Sequence, residues 1–152
     1  MPPTSTVTGD EATAGEYSNL VSDDGNYFLT TKTGNTGNHT YQSFNFKVTQ
    51  STKSITSFVI THNGHATRRT DDLADTYYFY IWNYTSVSYQ LLTTASANLN
   101  DQTTEITLTG NNTDLKDGSG NVYILVEGDH INGGGTNAKS QIYTDLMQLD
   151  VY

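Results

Sequence analysis

The alternation of apolar and polar positions along the chain gives strands almost throughout. Residues 103–109 set Ile106 and Leu108 on one face against Glu105, Thr107 and Thr109 on the other, the pattern of a strand with one wet side. In 121–127, Val122, Ile124 and Val126 alternate with Tyr123 and Leu125, so this strand is expected to be central and covered on both faces. Residues 76–83 put Tyr77, Phe79 and Ile81 on one face and Tyr78, Tyr80 and Trp82 on the other, with Tyr84 extending the second row. Further strand-like runs cover 17–21, 26–33, 40–49, 54–62, 87–94 and 140–152. Turn formers separate them, among them Asp23-Asp24-Gly25-Asn26, Asn63-Gly64 and Asp117-Gly118-Ser119-Gly120. No segment sustains a three-four apolar repeat of helical length. Nine short strands at this spacing predict an all-β antiparallel sandwich over residues 16–152.

Composition supports that reading and narrows the role. Thr and Ser together supply 38 of 152 residues and Tyr another 11, a strand-and-turn vocabulary, and this length makes one domain. The formal net charge is -9 without any basic cluster beyond Arg68-Arg69, which argues against nucleic acid and anionic membrane as partners. No apolar run approaches the roughly 20 residues of a membrane-spanning helix, and Met1-Pro2-Pro3-Thr4 opens no signal peptide. The absence of cysteine removes disulfides, thiolate zinc sites and thiol catalysis together. Residues 1–15 are polar, with Val7 their only large apolar side chain after Met1. They are read as an extended arm that either docks on a neighbouring subunit or packs on its own domain.

Candidate chemistry concentrates in two places. On the period-two rule Tyr143, Asp145, Met147, Leu149 and Val151 share one face of the last strand, which sets a carboxylate in an apolar stripe. Such a group needs a partner, because an unpaired buried charge costs more than a strand pairing returns. Backbone amides of an adjacent turn, Arg68 or Arg69, or a calcium ion ligated by Asp145 with Asp23 and Asp24 all satisfy that need. The second place is the aromatic row Tyr78, Tyr80, Trp82 and Tyr84, whose rings suit sugar faces while their polar tips tolerate water. That row is either covered by loops or a neighbouring subunit, or open as a glycan platform, with Arg68 a further ligand contact from the long loop at 64–75. His39, His62, His65 and His130 lie in or beside turns and are read as exposed loop histidines. With no Gly-x-Ser-x-Gly elbow and no phosphate-cradling loop, an enzyme is not expected.

The runs GEYSNLVSDDGNYF (15–28), YFYIWNYTSVSYQLL (78–92), DGSGNVYILVEG (117–128) and SQIYTDLMQLDVY (140–152) together resemble jelly-roll modules of the galactose-binding-domain-like type found in prokaryotic and viral surface proteins. The resemblance implies a jelly roll of 8–9 strands, a structural calcium near the join of first and last strands, and adhesion, glycan binding or assembly in place of catalysis. Asp23-Asp24-Gly25 and Tyr143-Thr144-Asp145 match the acidic turn and acidic final strand of such modules, while Tyr89 stands where they commonly carry tryptophan. The leading expectation is a non-enzymatic assembly subunit of a virion or extracellular surface, joined to copies of itself or other subunits through the arm. The alternative is a carbohydrate-binding module of a secreted protein.

Overall fold

A computed structural model describes residues 12–33, 39–51, 54–68, 73–74, 76–96, 100–110, 112–128 and 139–152. The alternating runs become β1 (Phe28–Thr33), β2 (Tyr41–Lys47), β3 (Ser57–Arg68), β4 (Leu73–Ala74), β5 (Thr76–Asn83), β6 (Ser88–Ser96), β7 (Gln102–Thr109), β8 (Asn121–Gly128) and β9 (Lys139–Val151). They build two antiparallel sheets. One has the order β1-β9-β3-β7, with the two-residue β4 pairing the far end of β3; the other has the order β2-β8-β5-β6. Apart from β4 and the β5–β6 hairpin, consecutive strands alternate between the sheets, so the first and last strands interleave as a jelly roll requires.

Strands β5 and β8 fill the middle of the four-stranded sheet, as their two apolar faces demand. Tyr77, Phe79 and Ile81 of β5 and Val122, Ile124 and Val126 of β8 point inward and are fully buried against Phe58 and Ile60 of β3 and Ile142 of β9. Residues 17–21, expected as a strand, form no strand. Thr13 and Glu16 make a reciprocal capping box, with the Thr13 N–H donating to the Glu16 carboxylate at 2.7 Å and the Glu16 N–H donating to Thr13 Oγ1 at 3.3 Å. That starts a single helical turn, α1 (Ala14–Ser18). The boundary drawn between arm and domain at residue 15 therefore falls inside α1, and residues 1–11 of the arm lie outside the described residues.

A second departure governs β9. Opposite β3, Asn63 pairs with Leu146 and Gly64 with Thr144, which leaves Asp145 over as a bulged residue. The inward set switches there, from Ile142 and Thr144 on one side of the bulge to Met147, Leu149 and Val151 on the other. Tyr143 and Asp145 accordingly do not share a face with Met147, because one added residue inverts a period of two. Asn63-Gly64 is not the turn its composition suggests. β3 runs on to Arg68, and Gly64 is required by close approach: a Cβ there would collide with the Tyr143 carbonyl oxygen and stand 3.1 Å from Thr144 Cα.

One polar chain crosses the apolar core beside the bulge. Thr144 Oγ1 donates to Gln42 Oε1, and Gln42 Nε2 donates to the carbonyls of Phe28 (2.9 Å) and Ile142 (3.2 Å). With its proton spent on Gln42, the Thr144 hydroxyl accepts from His62 Nε2 at 3.0 Å, which assigns the neutral Nε2–H tautomer. His62 is fully buried between the rings of Tyr77 and Phe79, contrary to the exposed loop position expected for it. Desolvation pushes its pKa down to about 3.

Gly64→Ala is expected to cost roughly 2–3 kcal/mol, the scale of overpacking against a backbone that cannot yield, measured as a shift of the urea midpoint. His62 is neutral in the folded state but takes a proton at its ordinary pKa when unfolded, so its contribution is complete above pH 6.5 and is lost as pH falls toward 3. Between pH 7 and 4 the loss amounts to about 3 kcal/mol. His62→Gln keeps a donor to Thr144 without titrating and should flatten the stability profile over that range; an unchanged slope would place the acid sensitivity elsewhere.

Candidate ligand-binding face

The residues of β2, β8, β5 and β6 that do not enter the core form the outer face of the four-stranded sheet. Register builds it in rows. Tyr41 and Tyr78 flank Glu127, Ser43 and Tyr80 flank Leu125 with Leu91 beyond Tyr80, and Tyr89 lies opposite Trp82. Tyr123 and Tyr84 close the end near Trp82. Tyr78, Tyr80, Trp82 and Tyr84 are thus brought together as their spacing predicts. The row is not uniformly open. Trp82, edge-on to Tyr89 with ring centroids 5.0 Å apart, is 5% exposed, while Leu125 beneath the rings is fully buried. Tyr41, Tyr78, Tyr84 and Tyr123 are half-buried, and Leu91 stands out into solvent.

A buried carboxylate sits at one end of this face. Glu127 is 1% exposed. His39 Nδ1 lies 3.0 Å from its Oε1 and 3.3 Å from the Gly128 carbonyl oxygen, so this nitrogen carries the proton. Tyr41 lies directly across from Glu127 on β2, and Tyr80 sits on the same face of β5. Burial, followed by the charge and hydrogen bond of Glu127, pushes the Tyr41 phenol up to about 12, and the same causes raise Tyr80. At the opposite end the Tyr84 hydroxyl donates to the Asn121 carbonyl at 3.2 Å, and burial pushes its pKa up to about 12. Glu127, Tyr41 and Tyr123 carry no site assignment from sequence, and His39, expected as an exposed loop histidine, lies against Glu127 with its side chain 21% exposed. The alternation of 121–127 places Glu127 on the same face as Tyr123 and Leu125, but only the register of β2 against β8 brings Tyr41 to it.

The backbone of Arg68 belongs to the other sheet from the aromatic row, where it pairs with Ser140 at the end of β3, and its side chain lies outside the described residues. His130 also lies outside them.

Asp145 is fully buried, at the bulge and not within the apolar stripe expected for it, and two backbone amides of the turn at 22–26 satisfy it: Asp24 N–H at 3.3 Å and Gly25 N–H at 2.8 Å. Gly25, at φ 79, holds the left-handed conformation that helps aim these amides. The calcium set Asp23, Asp24 and Asp145 does not assemble. The Asp24 carboxylate is spent on its own turn, accepting from Asn26 N–H, Asn26 Nδ2 and Ser22 Oγ, which hold its pKa down. Only Asp23 meets Asp145. Desolvation, a hydrogen bond to Asp145 and the charges of Asp145, Asp101 and Asp24 raise its pKa, and Asn63 Nδ2 donates to it at 3.1 Å. Among the described residues no three acidic or histidine side chains are placed to hold a metal.

Beside this turn, Asp101 accepts from the Tyr27 hydroxyl at 2.7 Å and contacts His65 Nδ1 at 2.8 Å, and the His65 ring stacks on Tyr143 at 4.3 Å. The hydrogen bond to Asp101, then burial, pushes the Tyr27 phenol up to about 12. These contacts pin the 20–27 segment to the outside of the five-stranded sheet.

Fold and face together define a jelly-roll β-sandwich domain with one aromatic sheet face turned outward. The chain belongs to the family AF_1625_C, described as "Uncharacterized protein, C-terminal domain", whose profile matches residues 1–152. No sequence among curated proteins matches it. A solved structure described as "CBM4 structure and function" is similar to this chain, with a TM-score of 0.46 and 10% identity over 87% of this chain and 88% of that one. Among the described residues no helix is long and apolar enough to cross a membrane.

Removing the Asp145 carboxylate takes the partner from two amides of an exposed turn, so Asp145→Ala should cost roughly 1–3 kcal/mol, read from denaturant unfolding. With the carboxylate held by amides, addition of EDTA should leave the melting temperature of the wild type unchanged; a drop of several degrees would restore the metal. The raised pKa of Asp23 makes its contribution complete below the ordinary carboxylate range and lost as pH rises through its folded value. Asp23→Asn should therefore raise the melting temperature at pH 7 and leave it nearly unaltered at pH 3.

Proposed function

We propose that this domain is a non-catalytic carbohydrate-binding module, with the outer face of β2, β8, β5 and β6 as its binding surface. The observation that carries the reading is the concentration of seven aromatic side chains on that face: Tyr41, Tyr78, Tyr80, Trp82, Tyr84, Tyr89 and Tyr123. A single sandwich sheet already has one apolar face in the core, so a second apolar face exposes rings to water at a cost that burial elsewhere does not offset. Half-buried phenols supported by a tight floor of Trp82, Tyr89 and Leu125 offer rigid amphipathic surfaces, the type that a sugar ring covers with its C–H face while its hydroxyls stay wet. Rigid rings also lose little rotamer freedom on binding. Residues 1–11, on which the assembly-subunit reading leans, lie outside the described residues, and the aromatic face moves the sugar-binding reading ahead of it.

The test is affinity electrophoresis in gels containing soluble polysaccharides, followed by calorimetry on those that retard the protein. Tyr78→Ala and Tyr123→Ala remove partly exposed rings of this face and should each weaken binding at least tenfold, about 1.4 kcal/mol, with the urea midpoint measured alongside to separate loss of contact from loss of fold. Trp82→Ala is a poor probe, since loss of a side chain this deeply packed costs about 3–5 kcal/mol of stability. Binding that survives both tyrosine changes would remove this face from the function.

A further inference from the structure

We infer that Val87, at the tip of the β5–β6 hairpin, is a rim contact of the binding face, held there at a cost to the fold. This role rests on the sugar-binding reading and adds a residue to its site. Residues 84–87 join β5 to β6, and Val87 holds φ 51. Among the described residues every other positive φ belongs to a glycine: Gly25, Gly64, Gly110 and Gly120. A left-handed backbone crowds a side chain branched at Cβ, so valine fits this position poorly where glycine or asparagine fits it well. The valine returns nothing to the interior for that strain, being 64% exposed.

The surrounding turn is pinned. Asn83 Oδ1 accepts from the Thr85 and Ser86 N–H groups at 2.9 and 2.8 Å, the Tyr84 N–H donates to the Asp114 carbonyl at 2.7 Å, and the hydroxyls of Ser86 and Ser88 meet at 2.8 Å across Val87. Such over-determination is what keeps a strained residue in place, and strain kept in this way collects at functional sites. The same bonds fix the tip relative to the rings. Tyr84, the first residue of the turn, packs against the outer cluster of Tyr80, Trp82, Tyr89 and Leu125, and Asn83 pairs with Ser88 next to the Trp82–Tyr89 pair. Val87 therefore stands at the end of the face that Tyr84 and Tyr123 close. Its neighbours Thr85 and Ser86 are exposed and uncharged, so the tip sets one apolar group among hydroxyls. That mixture suits a sugar ring, whose C–H groups take the apolar contact while its hydroxyls find polar neighbours. A protein partner calls for a broader apolar patch than one isopropyl group supplies.

Variants at this position separate contact from strain, read by urea unfolding and by affinity electrophoresis against galactomannan, dextran and xylan. Val87→Asn accepts the left-handed backbone and deletes the isopropyl group, so its urea midpoint should rise above that of the wild type while its affinity for the retarding polymer falls about fivefold, the scale of a partly buried isopropyl contact. Val87→Thr keeps the branch and its backbone strain but exchanges a methyl for a hydroxyl; its midpoint should stay where it is and its affinity should fall. Val87→Ile keeps both branch and apolar character and should bind as the wild type does. A Val87→Asn midpoint that rises with undiminished binding overturns the inference while the binding function stands, and a midpoint that does not rise removes the strain on which it is built. Binding lost in Val87→Asn but kept in Val87→Thr also overturns it, since the loss would then come from the shape of the turn and not from contact. If none of the three polymers retards the wild type, the function itself fails and the rim role with it.

Discussion

The constraint on which the rest of this molecule depends is the close approach of Gly64 to the bulge at Asp145. Two long strands, β3 and β9, run side by side over most of their length, and a regular ladder would send one continuous set of β9 side chains into the core. The bulge divides that set. Above it Ile142 and Thr144 reach inward to Phe28, Gln42 and His62; below it Met147, Leu149 and Val151 do so. Between the two, the spare residue delivers a carboxylate to the turn at 22–26, and the turn answers with two amides. One glycine thus sets the register of the central strands and the anchorage of the segment that leads into β1.

The two sheets use their outer faces differently. On the five-stranded sheet the bulge and the Tyr27–Asp101–His65 contacts hold a covering segment in place with hydrogen bonds and ring stacking. On the four-stranded sheet the outer rings pack on one another and on Leu125, which amounts to a second, thinner core. The buried Glu127 belongs to that layer, with His39 Nδ1 3.0 Å from one of its carboxylate oxygens.

Much of this was legible in the sequence, wherever local pattern and final environment agree. The alternation in β5, β7 and β8 predicted their faces, because each of these strands is regular where it is buried. The need of Asp145 for a partner follows from its burial, and backbone amides are partners its chemistry allows, but the bulge and not a stripe shared with Met147 is what buries it. Failures came where a residue type has two physical uses. Asn63-Gly64 reads as a turn, but the glycine serves backbone contact; Thr13 and Glu16 close a capping box in a stretch too short to show helical periodicity. His62 was misplaced for the same reason, since a strand thought to end at 62 leaves its histidine outside. Glu127 with Tyr41 and His39 was out of reach, because nothing local announces which strands of a jelly roll become neighbours.

Strand β5 faces two audiences at once. Its odd-numbered residues Tyr77, Phe79 and Ile81 hold the sandwich together, and its even-numbered Tyr78, Tyr80 and Trp82 furnish the surface presented to the outside. Because backbone position couples both sets, a substitution that reshapes one is transmitted to the other, and this strand is poorly placed to drift. On the bordering strands β2 and β6, by contrast, the outward Asn45 and Leu91 are exposed and can change without disturbing the packing beneath.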